Sequence, residues 1–170
     1  MSIESEFLDF SAEKILQLAS RIEDCLSKLT AEQIWLRHSD NENAVGNLVL
    51  HLCGNVRQWI ISGAGGTPYI RKRDGEFAAR GGVSGAELQE RLRETVNEAA
   101  QVLRSLPHSR LAATVSIQGF NGSILGAIYH CVEHFSMHTG QIIFATKLFT
   151  GADLGYYAHL RNPSHGQKTP

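Results

Sequence analysis

ILGAIYHCVEHFSMHTGQIIFATKLFT, residues 124–150, is apolar over most of its length and carries no proline. Ser123 stands just ahead of it as a candidate N-cap and Gly151 just behind it as a candidate C-cap, so the run predicts one long helix. Its composition is that of a helix packed on more than one side. Set into it are His130, His134 and His138, at successive steps of four. Such a step turns about 40° and climbs about 6 Å, which puts His134 and His138 on one face, a turn apart. Two imidazoles so placed can close on one metal ion, but a buried histidine with a hydrogen-bond partner satisfies the same spacing. The choice turns on a third ligand from elsewhere in the chain.

A second helix, about 44–62, carries Leu48, His51, Leu52, Asn55 and Trp59 on one stripe, with Val45, Val49, Val56 and Ile60 beside it. His51 lies midway between Asn47 and Asn55. A buried line of three polar side chains is costly without partners, which favours a wet or metal-bearing cavity over a dry core.

Working outward, Ile15, Leu18, Ile22, Leu26 and Leu29 mark an amphipathic first helix over about 5–29. Thr30 with Gln33 signals a capping box for a short turn, 31–36, and Ser84 with Glu87 another, for a third long helix through Leu106 that Pro107 ends. Between them, residues 63–83 read GAGGTPYIRKRDGEFAARGGV, with six glycines and no periodicity, and predict a linker. Its cations Arg71, Arg73 and Arg80 suit either a solvated loop pinned by ion pairs or contact with an anionic group of a substrate. Residues 111–117 are a short strand or an extended connector. Four long helices make an all-α bundle the natural architecture. The links 63–83 and 107–123 are long enough to cross an end of it, so an up-and-down order is not implied.

The chain has 170 residues, Lys and Arg total 16 against 17 for Asp and Glu, and the formal charge is −1. With no basic block, a nucleic-acid footprint is not expected, and no uncharged run suggests a membrane span or a signal peptide. Residues 1–160 are expected to form one domain and 161–170 a tail. Cys25, Cys53 and Cys131 are odd in number and far apart, which argues for buried reduced thiols. Together these predict a soluble cytoplasmic protein.

NLVLHL on the second helix paired with HFSMHTGQI on the fourth resembles the DinB and YfiT-like superfamily, whose members are read as metalloenzymes. GNLVLHLCGNVRQWI followed by RKRDGEF resembles one uncharacterised branch of it, over roughly Phe7 to Tyr157. The resemblance implies a four-helix bundle with long crossover connections, a homodimer, and one divalent metal ion, zinc or nickel, held by three histidines. Carried over residue by residue, these are His51, His134 and His138, and His130 has no counterpart. Three neutral imidazoles leave an ion its full charge and an open position, the catalytic rather than the structural pattern. Asn47, Asn55 and Gln141 stand one turn from a ligand each and are candidates to orient a ring or hold a bound water.

Superfamily members include transferases that use low-molecular-weight thiols and a thiol-dependent isomerase, so the first expectation is a thiol transferase acting on a small molecule. A metal-dependent hydrolase and a non-catalytic dimeric bundle are the alternatives. Glu133 points about 100° away from His134, and no carboxylate stands on the inner stripes, which weighs against hydrolysis by a base-activated water.

Overall fold

The computed structural model describes residues 2–158; the expected tail, 161–170, lies outside them. In chain order the elements are α1 (Ile3–Lys28), α2 (Ala31–Ile34), α3 (Val45–Val56), a π-helical stretch (Arg57–Ala64) continuous with α3, α4 (Arg73–Ala78), α5 (Gly85–Ser105), a 3₁₀ turn (His108–Arg110), β1 (Thr114–Ile117), β2 (Phe120–Ser123) and α6 (Ile124–Thr150). The chain is therefore mostly helical, with one small sheet that an all-α reading does not contain.

The helix ends follow from local chemistry. The hydroxyls of Ser2, Thr30, Ser84 and Ser123 each accept from a backbone N–H three residues on, satisfying donors that a helix start leaves unpaired. Gln33 and Glu87 reach back to complete two capping boxes. At the far end of α6, Gly151 takes φ 68°, and its N–H returns to the Lys147 carbonyl.

α1, α3, α5 and α6 pack around a continuous apolar core. α1 lies against α5 and α6, and α3 lies against the same two, while α1 and α3 scarcely meet. The links 29–44 and 106–123 therefore join elements across the core. The stretch after α3, though long enough to cross, joins neighbours.

Three local features differ from the sequence reading. The second helix is α-helical only to Val56; beyond it the wider π turn continues to Ala64, where Gly63 lets Ile117 of β1 press on the backbone. The glycine-rich linker contains α4, too short to show a period. Residues 114–123 form a hairpin whose turn, Gln118 (φ 50°) and Gly119 (φ 82°), is left-handed at both positions, which matches the strand twist.

Burial also redistributes. All of α3 but Leu50 is buried, so this short helix is the one packed from several directions. α6 buries a single stripe, among it Ile124, Ile128, Cys131, Phe135 and Ile142, and leaves a second apolar face in solvent. Thr139 and Thr146 within that stripe donate to the carbonyls four residues back, so no hydroxyl is stranded there. No helix among the described residues is long and apolar enough to cross a membrane.

Candidate metal centre

α3 and α6 face each other where their histidines stand. His51, 4% exposed, projects from the middle of α3. His134 and His138 project from α6, half-buried. The rings of His51 and His134 lie 5.0 Å apart, those of His51 and His138 5.1 Å, and those of His134 and His138 4.4 Å. One ligand atom from each lies within 4.8 Å of the others, close enough to hold one metal ion. His130 stands outside this group. It stacks on His134 at 5.7 Å and packs against Trp59 at 4.3 Å.

Glu76, which the sequence reading did not place at the site, stands behind His51. It comes from α4, and its Oε2 lies 3.2 Å from His51 Nδ1. Arg71, with a side chain 3% exposed, grips the same carboxylate through Nε at 2.8 Å and Nη2 at 2.7 Å. Its Nη1 donates to Gln58.

This network decides the tautomer of His51. Arg71 Nη2 has two hydrogens, and Glu76 Oε2 and the His51 carbonyl, 3.1 Å away, accept them. Nδ1 of His51, though 3.0 Å from that nitrogen, is left to donate to Glu76. Nε2 therefore keeps its lone pair and faces His134 Nε2 at 2.8 Å. On His138, Nδ1 donates to Gln141 Oε1 at 2.7 Å, so Nε2 is again the free donor atom. Nitrogen lone pairs converging this closely need a cation or a proton between them, and imidazoles with outer N–H groups held by a carboxylate and an amide fit a divalent ion.

Burial favours the neutral forms of the two α6 rings. His134 is pushed down to about 4, by burial first and then by the charges of His138, His51 and His130. Burial also lowers His138, against the raising effect of its bond to Gln141. For Glu76, burial pushes the carboxyl up, but the bonds from Arg71 and His51 outweigh it and hold the group below its usual range. Two neutral rings on α6, facing a His51 that an ionised carboxylate orients, are ready to ligate.

The remaining expected residues fall in different places. Gln141 does orient a ring. Asn47 does not bond to His51; its amide donates to the carbonyls of Glu76 (2.8 Å) and Ala79 (2.9 Å) and accepts from Arg37 (2.6 Å), so it clamps α4 and with it Glu76. Asn55 accepts from the Cys131 thiol at 3.3 Å instead of touching the ring. That thiol is fully buried and pushed up to about 12 by burial, which leaves it an inert core group. Arg71 is committed to holding Glu76. Arg80 turns onto the carbonyls of Phe77, Ala78 and Ala79. Arg73 lies 4.9 Å over the ring of Phe77, which itself packs 4.7 Å from His51.

Glu76 was missed because α4 has no period to read and its carboxylate reaches His51 only through the tertiary fold. A signal lay in Gly54, three residues after His51 within an apolar helix. A Cβ there would overlap the Glu76 carboxylate and lie 2.9 Å from Arg71 Nε. A glycine inside a helix marks such close approaches.

A family model described as "Protein of unknown function (DUF1572)" matches residues 2–161. Among solved structures the chain is similar to one titled "Crystal structure of the conserved protein of locus from Enterococcus faecalis", with a TM-score of 0.70 and 14% identity over 89% of this chain and 99% of that one. At that identity the likeness concerns the fold alone. No curated protein matches the chain.

Proposed function

We propose a metalloenzyme function for this chain, which belongs to the DUF1572 family. In this reading the four long helices are a DinB/YfiT-like bundle with long crossover connections, folded as one domain over residues 1–160 and working as a homodimer. His51, His134 and His138 hold one zinc or nickel ion, and the reaction transfers a low-molecular-weight thiol to an electrophile. The observation that carries the site is the meeting of His51 and His134 at 2.8 Å between Nε2 atoms, with Glu76 holding the far side of the His51 ring.

A bound divalent ion supplies Lewis acidity and a positive charge that favours a thiolate over a thiol. The chain's own residues do the rest. Glu76 and Gln141 hold two rings in the ligating tautomer, Arg71 keeps Glu76 ionised and in place, and Asn47 anchors the segment that carries both. The thiol sulfur bonds to the electrophilic atom, the thiol proton passes to solvent, and the leaving group departs with its bonding pair. Arg73, with no hydrogen bond or ion pair among the described residues, is the cation we assign to the anionic part of the small-molecule substrate.

Glu76 bears on the hydrolase alternative. It bonds to Nδ1, away from the nitrogen that faces the other histidines, so it is a ring-holding group and not a base for an attacking water. We place the protein in the cytoplasm, since Cys25, Cys53 and Cys131 are all buried free thiols. Neither a membrane nor a nucleic acid is a partner in this reading.

Elemental analysis of protein purified without an affinity tag is expected to find one zinc or nickel ion per chain. Turnover of several cellular thiols with an electrophile is then compared in metal-loaded and chelated protein. Rates that match in the two forms would remove the metal from the mechanism, and a non-catalytic bundle would stand if neither form turned over.

A further inference from the structure

α3, α6 and the residues 36–43 that precede α3 enclose a cleft of about 400 Å³. Its walls are mostly apolar. Val45 and Leu48 of α3 are buried, Ala145 and Phe149 of α6 are half-buried, and Phe144 and Leu148 are 70% and 65% exposed. A concave space of this size, apolar with a few polar groups, is what a small molecule occupies.

The cleft begins where the metal centre ends. Leu48 lies one turn before His51 on α3, and Gln141 one turn after His138 on α6. Gln141 belongs to both places: its Oε1 accepts from His138 Nδ1 at 2.7 Å, and the residue lines the cleft. One helical turn is about 5.4 Å, so a molecule whose reacting atom sits among the histidines reaches the cleft with the groups next along its length. A larger cleft, of about 650 Å³, lies between α1, α6 and residues 153–158, and is lined by neither a ligand histidine nor a residue that holds one.

Charge selects which part of a substrate fits. Among the described residues no lysine or arginine lines the 400 Å³ cleft, and its one carboxylate, Glu42, accepts from the backbone N–H and from Nδ1 of His38. An anionic group would lie near that carboxylate with no lysine or arginine to offset it, whereas a neutral apolar group loses nothing there.

We infer that this cleft receives the apolar part of the electrophile in the thiol transfer, an alkyl or aryl group standing about 5 Å from the atom that the thiol attacks. The inference rests on the proposed function and deepens it: the anionic part of the substrate goes to Arg73, and the apolar part to the groove between α3 and α6.

Calorimetric titration of the zinc-loaded full chain with acetohydroxamate and octanohydroxamate tests it. Both probes carry the same chelating head group, and only the second carries a long tail. Each methylene that the cleft buries tightens binding about fourfold, so octanohydroxamate should bind at least ~30-fold more tightly. Leu148→Glu puts a charge on an exposed wall, and Ala145→Phe fills the space; in each, the ratio of the two affinities should fall below ~5-fold.

A ratio near one in the native chain, with acetohydroxamate binding only when zinc is present, overturns the inference and leaves the metal centre standing. Failure of zinc and of both probes to bind overturns the proposed function and the inference with it. A ratio that survives both substitutions overturns the inference by putting the tail elsewhere. A native dimer that Leu148→Glu dissociates in sedimentation equilibrium, with the ratio unchanged, gives the cleft to a second copy instead.

Discussion

On one face of α6, His134 and His138 stand four residues apart and turn toward α3; on the opposite face, Tyr129 and Phe144 lie on rows of the same step and turn outward. Spacing does not separate the two faces. What differs is the company the fold brings. The inner face meets His51 from α3, and behind it the Arg71–Glu76 pair, whose side chains are 3% and 11% exposed. The outer face borders α1 near Phe10 and, at Ser136 and Gly140, a cleft shared with residues 153–158, and its large apolar side chains are otherwise exposed. The inner face is thus committed within the chain, and substitutions there should cost stability or metal. The outer face is largely solvent-exposed among the described residues, and substitutions there should leave the single chain intact.

The sharpest way to break this contrast is Arg71→Ala. It strips a buried carboxylate of its cation and should cost about 3–5 kcal/mol in urea unfolding. A loss under 1 kcal/mol would mean that Glu76 is not held as described. Next in size, His51→Ala should weaken zinc or nickel binding by about 100-fold or more, about 2.7 kcal/mol, in a chelator competition that His130→Ala barely changes. Undiminished binding in the first variant would move the site elsewhere.

Gly54→Ala and Gly140→Ala set one substitution on each side. At Gly54 the new methyl displaces Glu76, and about 1–3 kcal/mol of stability should be lost together with metal affinity.

Acid sharpens the contrast without mutation. His134 titrates near 4 in the fold against an ordinary 6.5, so between those values the unfolded chain takes up a proton that the folded chain refuses. The His134 contribution to the stability of chelated protein should therefore be lost as pH drops from 6.5 to about 4, below which carboxylates such as Glu76 continue the decline. Because the ring is only half-buried, the effect should be on the order of 1 kcal/mol. Urea midpoints that do not move across that window would count against a ring held neutral by burial. Smallest of all, Gly140→Ala meets no neighbour among the described residues and should stabilise the helix by about 0.5–1 kcal/mol in urea unfolding.

Much of this was legible in the chain. The apolar periods of 3.6 marked the long helices, and Ser123, Ser84, Thr30 and Gly151 marked their ends, because caps are local chemistry between residues three or four apart. The steps of four placed His134 and His138 on one face, and the polar line through Asn47, His51 and Asn55 marked α3 as unusual. The roles of those two asparagines were not legible. Whether an amide one turn away reaches a ring or a passing carbonyl depends on which strand of chain passes there, and at Asn47 it is α4.

Local periodicity and capping, which act within a turn or two, determined the elements and the faces on which the histidines stand. Only the tertiary structure decided that His51 meets His134 across the core, that Glu76 and Arg71 stand behind it, and that the described residues leave one apolar face of α6 exposed. Those outcomes depend on contacts between residues 20 to 83 positions apart, as Arg71 is from His51 and His51 from His134, and on crossover links whose path no short-range pattern encodes.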